Sequence, residues 1–127
     1  MFRIYYRRRR LRRHASKASV VRFEQYKEAA RARVHEKLAR FSPLYGVSYK
    51  KVFIKNSRSR WGSCSERGNL NFNYRLALLP EALADYVVVH ELCHLIHFNH
   101  SPAFWREVEK TVPDWRHLRR ELRKIRL

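Results

Sequence analysis

The chain has 127 residues, 29 of them Lys or Arg against 11 Asp or Glu, for a formal charge of +18, and 45% of them are apolar. That length holds one modest hydrophobic core, and aromatics spread from Phe2 to Trp115 argue against wholesale disorder. The two cysteines, Cys64 and Cys93, are too few for a disulfide framework and lack the CxxC spacing of a cysteine-rich zinc knuckle, while the charge draws the protein toward polyanions.

Residues 1–15 read as an arginine-rich N-terminal arm, with Phe2, Tyr5 and Tyr6 leading into the run Arg7 to Arg13. Like charges packed this densely stay solvated. No apolar stretch of export-signal length follows Arg13, and no run is long enough to span a bilayer. The expectation is a cytoplasmic protein without a membrane partner, folded as a single domain over residues 16–127.

Val20, Phe23, Tyr26, Ala30, Val34, Leu38 and Phe41 recur at helical spacing, with Ser16 or Ser19 as N-cap, and predict a helix ending near Ser42-Pro43. Val47 to Ile54 and the stretch around Ser59 to Cys64 then read as short strands. Ser65-Glu66-Arg67-Gly68 reads as a hairpin turn. Beyond it, Leu70, Phe72, Tyr74 and Leu76 alternate with Asn69, Asn71, Asn73 and Arg75, as in a half-buried strand. Three antiparallel strands are the economical reading. Pro80 opens a helix that is apolar on most of its circumference (Leu83, Val87, Val88, Leu92, Leu95 and Ile96), with its end expected at Asn99 in the left-handed conformation. Ser101-Pro102 then starts one short helix and Pro113 another, the last basic and amphipathic. The fold class is α+β.

The chemistry lies in His90-Glu91-Leu92-Cys93-His94. Residues four apart share a helical face, so His90 and His94 can present two ring nitrogens to one metal ion. Glu91 then stands beside the metal, placed to take a proton from metal-bound water. A catalytic zinc needs a third protein ligand. His97 would set three ligands nearly in a row along the helix, whereas His100, beyond the chain turn, can approach from another direction. His100 is therefore the expected third ligand. The bland alternative, ordinary helix histidines, is weakened by the buried helix that carries them.

The run Arg58-Ser59-Arg60-Trp61-Gly62-Ser63-Cys64, followed by Gly68-Asn69-Leu70-Asn71-Phe72-Asn73, Asp85 to His94, Asn99-His100-Ser101 and Phe104-Trp105, resembles the YgjP-like metallopeptidase family. At the metal motif it is also similar to the WLM and SprT zincin families. The resemblance covers roughly Phe23 to Pro113, and several motifs in order are more specific than the metal signature alone. It implies a minimal zincin-like fold, one Zn2+ per chain held by His90, His94 and His100, and Glu91 as catalytic base.

Other residues carry two readings. Arg58 and Arg60 can bind a substrate carboxylate or phosphate, or be solvated arginines of a basic protein. Asn71 and Asn73 lie on a strand along which zincins hold an extended peptide, or are its polar face. His97 can support the metal site, or be packed. Cys93 points away from the metal face and reads as core; Trp61, Phe104 and Trp105 read as packing rather than as a substrate shelf.

The function expected is a zinc metallopeptidase of the HExxH type acting on a peptide or protein substrate. One rival is a basic nucleic-acid-binding module with structural zinc, using the arm and the last helix, but structural zinc favours four ligands. Another is a metal-dependent nucleotide phosphohydrolase, an activity associated with relatives in the resembled family; no Gly-rich phosphate loop supports it.

Overall fold

The computed structural model describes the backbone of residues 2–5 and residues 16–127 in full. The arginine run Arg7 to Arg13 lies outside the described residues. In order, the elements are strand β1 (Phe2–Tyr5), helix α1 (Lys17–Tyr45), strands β2 (Val52–Lys55), β3 (Arg60–Cys64) and β4 (Leu70–Asn73), a 3-10 segment (Tyr74–Leu78), and helices α2 (Glu81–His94), α3 (Pro102–Glu109) and α4 (Trp115–Lys124).

Ser16 caps α1 by accepting from the Ser19 amide at 3.1 Å. Ala30, Val34, Leu38 and Phe41 form its buried face. Rather than stopping before Pro43, α1 runs one turn further, to Gly46 at φ 61°. That last turn is anchored from outside: the Tyr45 hydroxyl donates to the Glu107 carbonyl at 2.7 Å and meets Thr111 Oγ1 at 2.8 Å, which ties α1 to α3.

The sheet has four strands in the order β1-β3-β4-β2. β3 and β4 form the expected antiparallel hairpin around Ser65–Gly68, with Gly62 opposite Phe72 and Ser63 opposite Asn71. The all-antiparallel expectation fails at β2, which pairs parallel with β4, Val52 beside Leu70 and Ile54 beside Phe72. Alternation specifies which face a strand buries, and Ile54 is buried as expected, but not the direction of its partner. The other edge of β3 is taken by β1, antiparallel, so the first residues of the expected arm belong to the sheet.

The strand expected to continue through Leu76 ends at Asn73. Its Oδ1 accepts from the Arg75 amide at 2.9 Å and caps the 3-10 segment, so Tyr74 and Leu76 are buried from a helical turn. α2 then runs through the centre, buried on nearly every side from Leu83 to His94. Lys37 of α1 is buried against it, paired with Glu81 and with Asp85.

α2 ends at His94, five residues short of the expected Asn99. No non-glycine residue has positive φ among the described residues, so Asn99 does not take the left-handed conformation. Leu95 and Ile96 continue the apolar pattern, but their amides turn back to the carbonyls of Leu92 and Cys93, closing the helix in a tight turn. Ser101 caps α3 as expected, accepting from the Phe104 amide at 3.3 Å. Among the described residues no helix is long and apolar enough to cross a membrane.

Candidate metal centre

His90 and His94 project from the last turn of α2, and the early end of that helix carries His100 back toward them. The three Nε2 atoms form a nearly equilateral triangle: His90 to His94 3.0 Å, His94 to His100 3.1 Å, His100 to His90 3.2 Å. Nitrogens about 2.0–2.1 Å from a tetrahedral zinc stand about 3.3 Å apart, close to these edges. The triad is the group of described residues whose ligand atoms could hold one metal ion.

For His94 the lone pair points the right way. His94 Nδ1 stands 3.1 Å from the His97 carbonyl, which accepts only if Nδ1 carries the hydrogen and thereby leaves Nε2 unprotonated. His97 thus serves through its backbone rather than its ring. Burial drives the His90 pKa well below its usual range, and burial likewise lowers His94 to about 4, with the neighbouring ring of His100 adding to it. His100, the exposed member, is also shifted down, first by burial and then by Arg119. Neutral imidazoles are what a metal requires.

An aromatic wall holds the rings. Phe104 stacks on His94, with centroids 4.4 Å apart at 17°, and Trp105 lies nearly parallel to His100 at 5.7 Å and 22°. Trp105 is in turn stacked on Trp115 at 3.9 Å. The packing expected of Phe104 and Trp105 is therefore packing against the ligands themselves.

Glu91 is fully buried, and among the described residues neither carboxylate oxygen has a hydrogen-bond partner. Its Oε1 stands 3.8 Å from His90 Nε2, and burial pushes its pKa well above the ordinary carboxylate range. A dry, unpartnered carboxylate is costly; a cation on the adjoining histidines offsets that cost and favours the ionised form. The residues present therefore fit a divalent ion with nitrogen ligands. β3 comes up against this carboxylate at Gly62, where a side chain would meet Glu91 Cγ at 3.0 Å. A glycine inside a strand pattern is a sequence signal of such close approach.

A cleft of about 460 Å³ runs along β2, β3 and β4, with Lys55, Arg60, Gly62, Ser63, Asn71 and Asn73 in its walls. Three of the expected substrate residues, Arg60, Asn71 and Asn73, come together here, and Gly62 belongs both to the cleft and to the surroundings of Glu91. Arg58 is outside its lining. Asn71 donates to Ser63 Oγ at 3.1 Å. The Asn73 amide is committed to the carbonyls of Ser57 and Arg60 at 2.7 and 2.9 Å, so it braces the loop before β3. Cys93 is buried core, as expected, and both thiols are free. Sequence reasoning gave Gly62 no role of its own.

Comparison with known proteins bears on this arrangement. The family described as YgjP-like, metallopeptidase domain, matches residues 3–125. Among solved structures, the chain is similar to the crystal structure of the metallopeptidase zymogen of Pyrococcus abyssi abylysin, with a TM-score of 0.65 and 26% identity over 72% of this chain and 92% of that one. No curated protein gives a significant match.

Proposed function

The chain belongs to the YgjP-like metallopeptidase family, and from that premise we propose that it cleaves peptide bonds with one zinc ion held by His90, His94 and His100 and with Glu91 as the base. The observation that carries the reading is the convergence of three ring nitrogens beside a buried carboxylate without a hydrogen-bond partner among the described residues. Three imidazole donors suit zinc rather than magnesium or calcium, which prefer oxygen.

A zinc ion held by His90, His94 and His100 would supply Lewis acidity toward water and a carbonyl oxygen. Glu91 accepts the proton of the attacking water and passes it to the departing amine nitrogen. Gly62 lets the carboxylate lie against β3, and the His97 carbonyl holds the His94 ring in the tautomer that binds metal. Arg60 and Asn71 are proposed to line the path of the peptide in the cleft beside Gly62. A cytoplasmic location is part of the proposal, supported by the two free, buried thiols. A nucleic-acid partner gains no support from either comparison and is not included.

Glu91→Gln tests the mechanism. Zinc-loaded wild type is expected to cleave a pool of fluorogenic peptides, and the variant to keep its zinc and lose turnover. Full turnover in the variant removes Glu91 as base.

A further inference from the structure

The cleft along β2, β3 and β4 has a one-sided chemistry. Two cations, Lys55 and Arg60, stand in its walls, and none of the described residues lining it is Asp or Glu. Lys55 ends β2 beside Asn73 of β4, with its ammonium 5.0 Å from the centroid of Phe53, and no carboxylate among the described residues pairs with it. Lys50 and Lys51 are exposed as well, but neither lines the cleft. Positive charge gathers around Ser57, also in the lining: Arg75 donates to the Ser57 carbonyl at 3.0 Å, and burial, followed by Arg22 and Arg58, holds its pKa below the ordinary arginine value. In the same lining Ser63 is 3% exposed and accepts from Asn71 Nδ2 at 3.1 Å, while its own hydroxyl hydrogen has no acceptor among the described residues. Ser63 follows Gly62, so this uncommitted donor lies one residue from the contact between β3 and Glu91.

Cations on the walls of a concave site focus their field into it and concentrate anions there. A buried hydroxyl whose hydrogen is uncommitted costs free energy until an acceptor arrives, and an ionised acceptor makes the stronger bond. We propose that the cleft is a specificity subsite for an anionic side chain of the substrate, carboxylate or phosphate, received by Lys55 and the Ser63 hydroxyl with Arg60 adding charge. That the anion belongs to a peptide rests on the peptidase reading; that the cleft takes an anion rests on its own lining.

The test titrates zinc-loaded protein with three small probes, the N-acetyl amides of glutamate, glutamine and phosphoserine. Wild type should bind the glutamate probe roughly five- to tenfold more tightly than the glutamine probe, the gain expected of a charge-assisted contact with an exposed lysine and a buried hydroxyl. Lys55→Gln and Ser63→Ala should each lower that preference at least about twofold, whereas Lys51→Gln, which removes the same charge outside the cleft, should keep it. Equal binding of the two probes by wild type overturns the proposal. So does a preference that Lys55→Gln and Lys51→Gln reduce alike, as a diffuse positive field would produce. A preference undiminished in Lys55→Gln places the carboxylate elsewhere, the zinc included, and overturns it too. Once the preference depends on Lys55, the tighter of the glutamate and phosphoserine probes identifies the anion. Peptide cleavage that nowhere distinguishes Glu or phosphoserine from Gln keeps the peptidase reading and removes the subsite. A Lys55-dependent probe preference with no peptide cleaved confirms the subsite and removes the peptidase reading.

Discussion

Gly62 of β3 and Glu91 of α2 approach closely: a Cβ on the glycine would stand 3.0 Å from Glu91 Cγ, 3.3 Å from its Cδ and 3.2 Å from the Asn71 carbonyl oxygen. Strand backbone and buried carboxylate are therefore packed without room for a methyl group. Because the Asn71 carbonyl is fixed in the β3–β4 pairing, the Glu91 side chain has to yield. Gly62→Ala should leave zinc content unchanged and lower kcat severalfold, less than the roughly 100-fold that a misplacement of about 1 Å costs, because Glu91 has to give way only slightly. Unchanged kcat would show that Glu91 does not need its present position.

His100 is the exposed member of the triad and comes from the loop after α2, whereas His90 and His94 share a rigid helix. His100→Ala should weaken zinc binding by more than the roughly 10- to 100-fold typical of residues that only support ligands. Competition with a chromophoric chelator measures this. A loss of about 100-fold or less assigns His100 to a supporting role.

In metal-free Glu91→Gln, which lacks the opposing titration of the buried carboxylate, the histidines should make the fold lose stability in mild acid. His94 has its pKa lowered from 6.5 to about 4, and His90 is shifted in the same direction, chiefly by burial. Between those pH values the unfolded chain binds protons that the folded chain refuses, so stability rises with pH across the window. It is fully present above about 6.5 and falls as the pH drops toward 4, by something on the order of 2 kcal/mol. Urea midpoints of metal-free Glu91→Gln at pH 7.5 and pH 4.5 check this; equal midpoints contradict it.

Lys37 makes a different kind of contribution. It is 3% exposed and faces Glu81 and Asp85, joining α1 to the start of the helix that carries the metal motif. Lys37→Ala should destabilise the fold by about 2–3 kcal/mol, below the 3–5 kcal/mol of a wholly buried pair because Glu81 is exposed. Lys37→Met keeps the volume and should cost less. Chemical denaturation of both variants tests the ordering.

What the sequence made legible was local. His90, Glu91 and His94 sit on one helix, so their spacing alone defines their geometry. His100 was legible because a turn had to follow the helix, although the turn comes at His94 rather than at Asn99. There Leu95 is apolar for packing and not for helix, a distinction that periodicity does not make. The faces of β2 and β4 followed from alternation, but the parallel pairing of Val52 with Leu70 did not, since it depends on which edge of β4 is open. Lys55 was illegible as a cleft residue: its place beside Asn73 depends on that same parallel pairing, and no short spacing encodes that.

Metal content measured by elemental analysis, on untagged wild type and on the double variant His90→Ala, His94→Ala, tests the central claim most directly. The account predicts about one zinc per wild-type chain and none in a folded double variant. Wild-type protein that takes up no zinc even after reconstitution, or a double variant that keeps it, would contradict the assignment of His90, His94 and His100 as the metal centre.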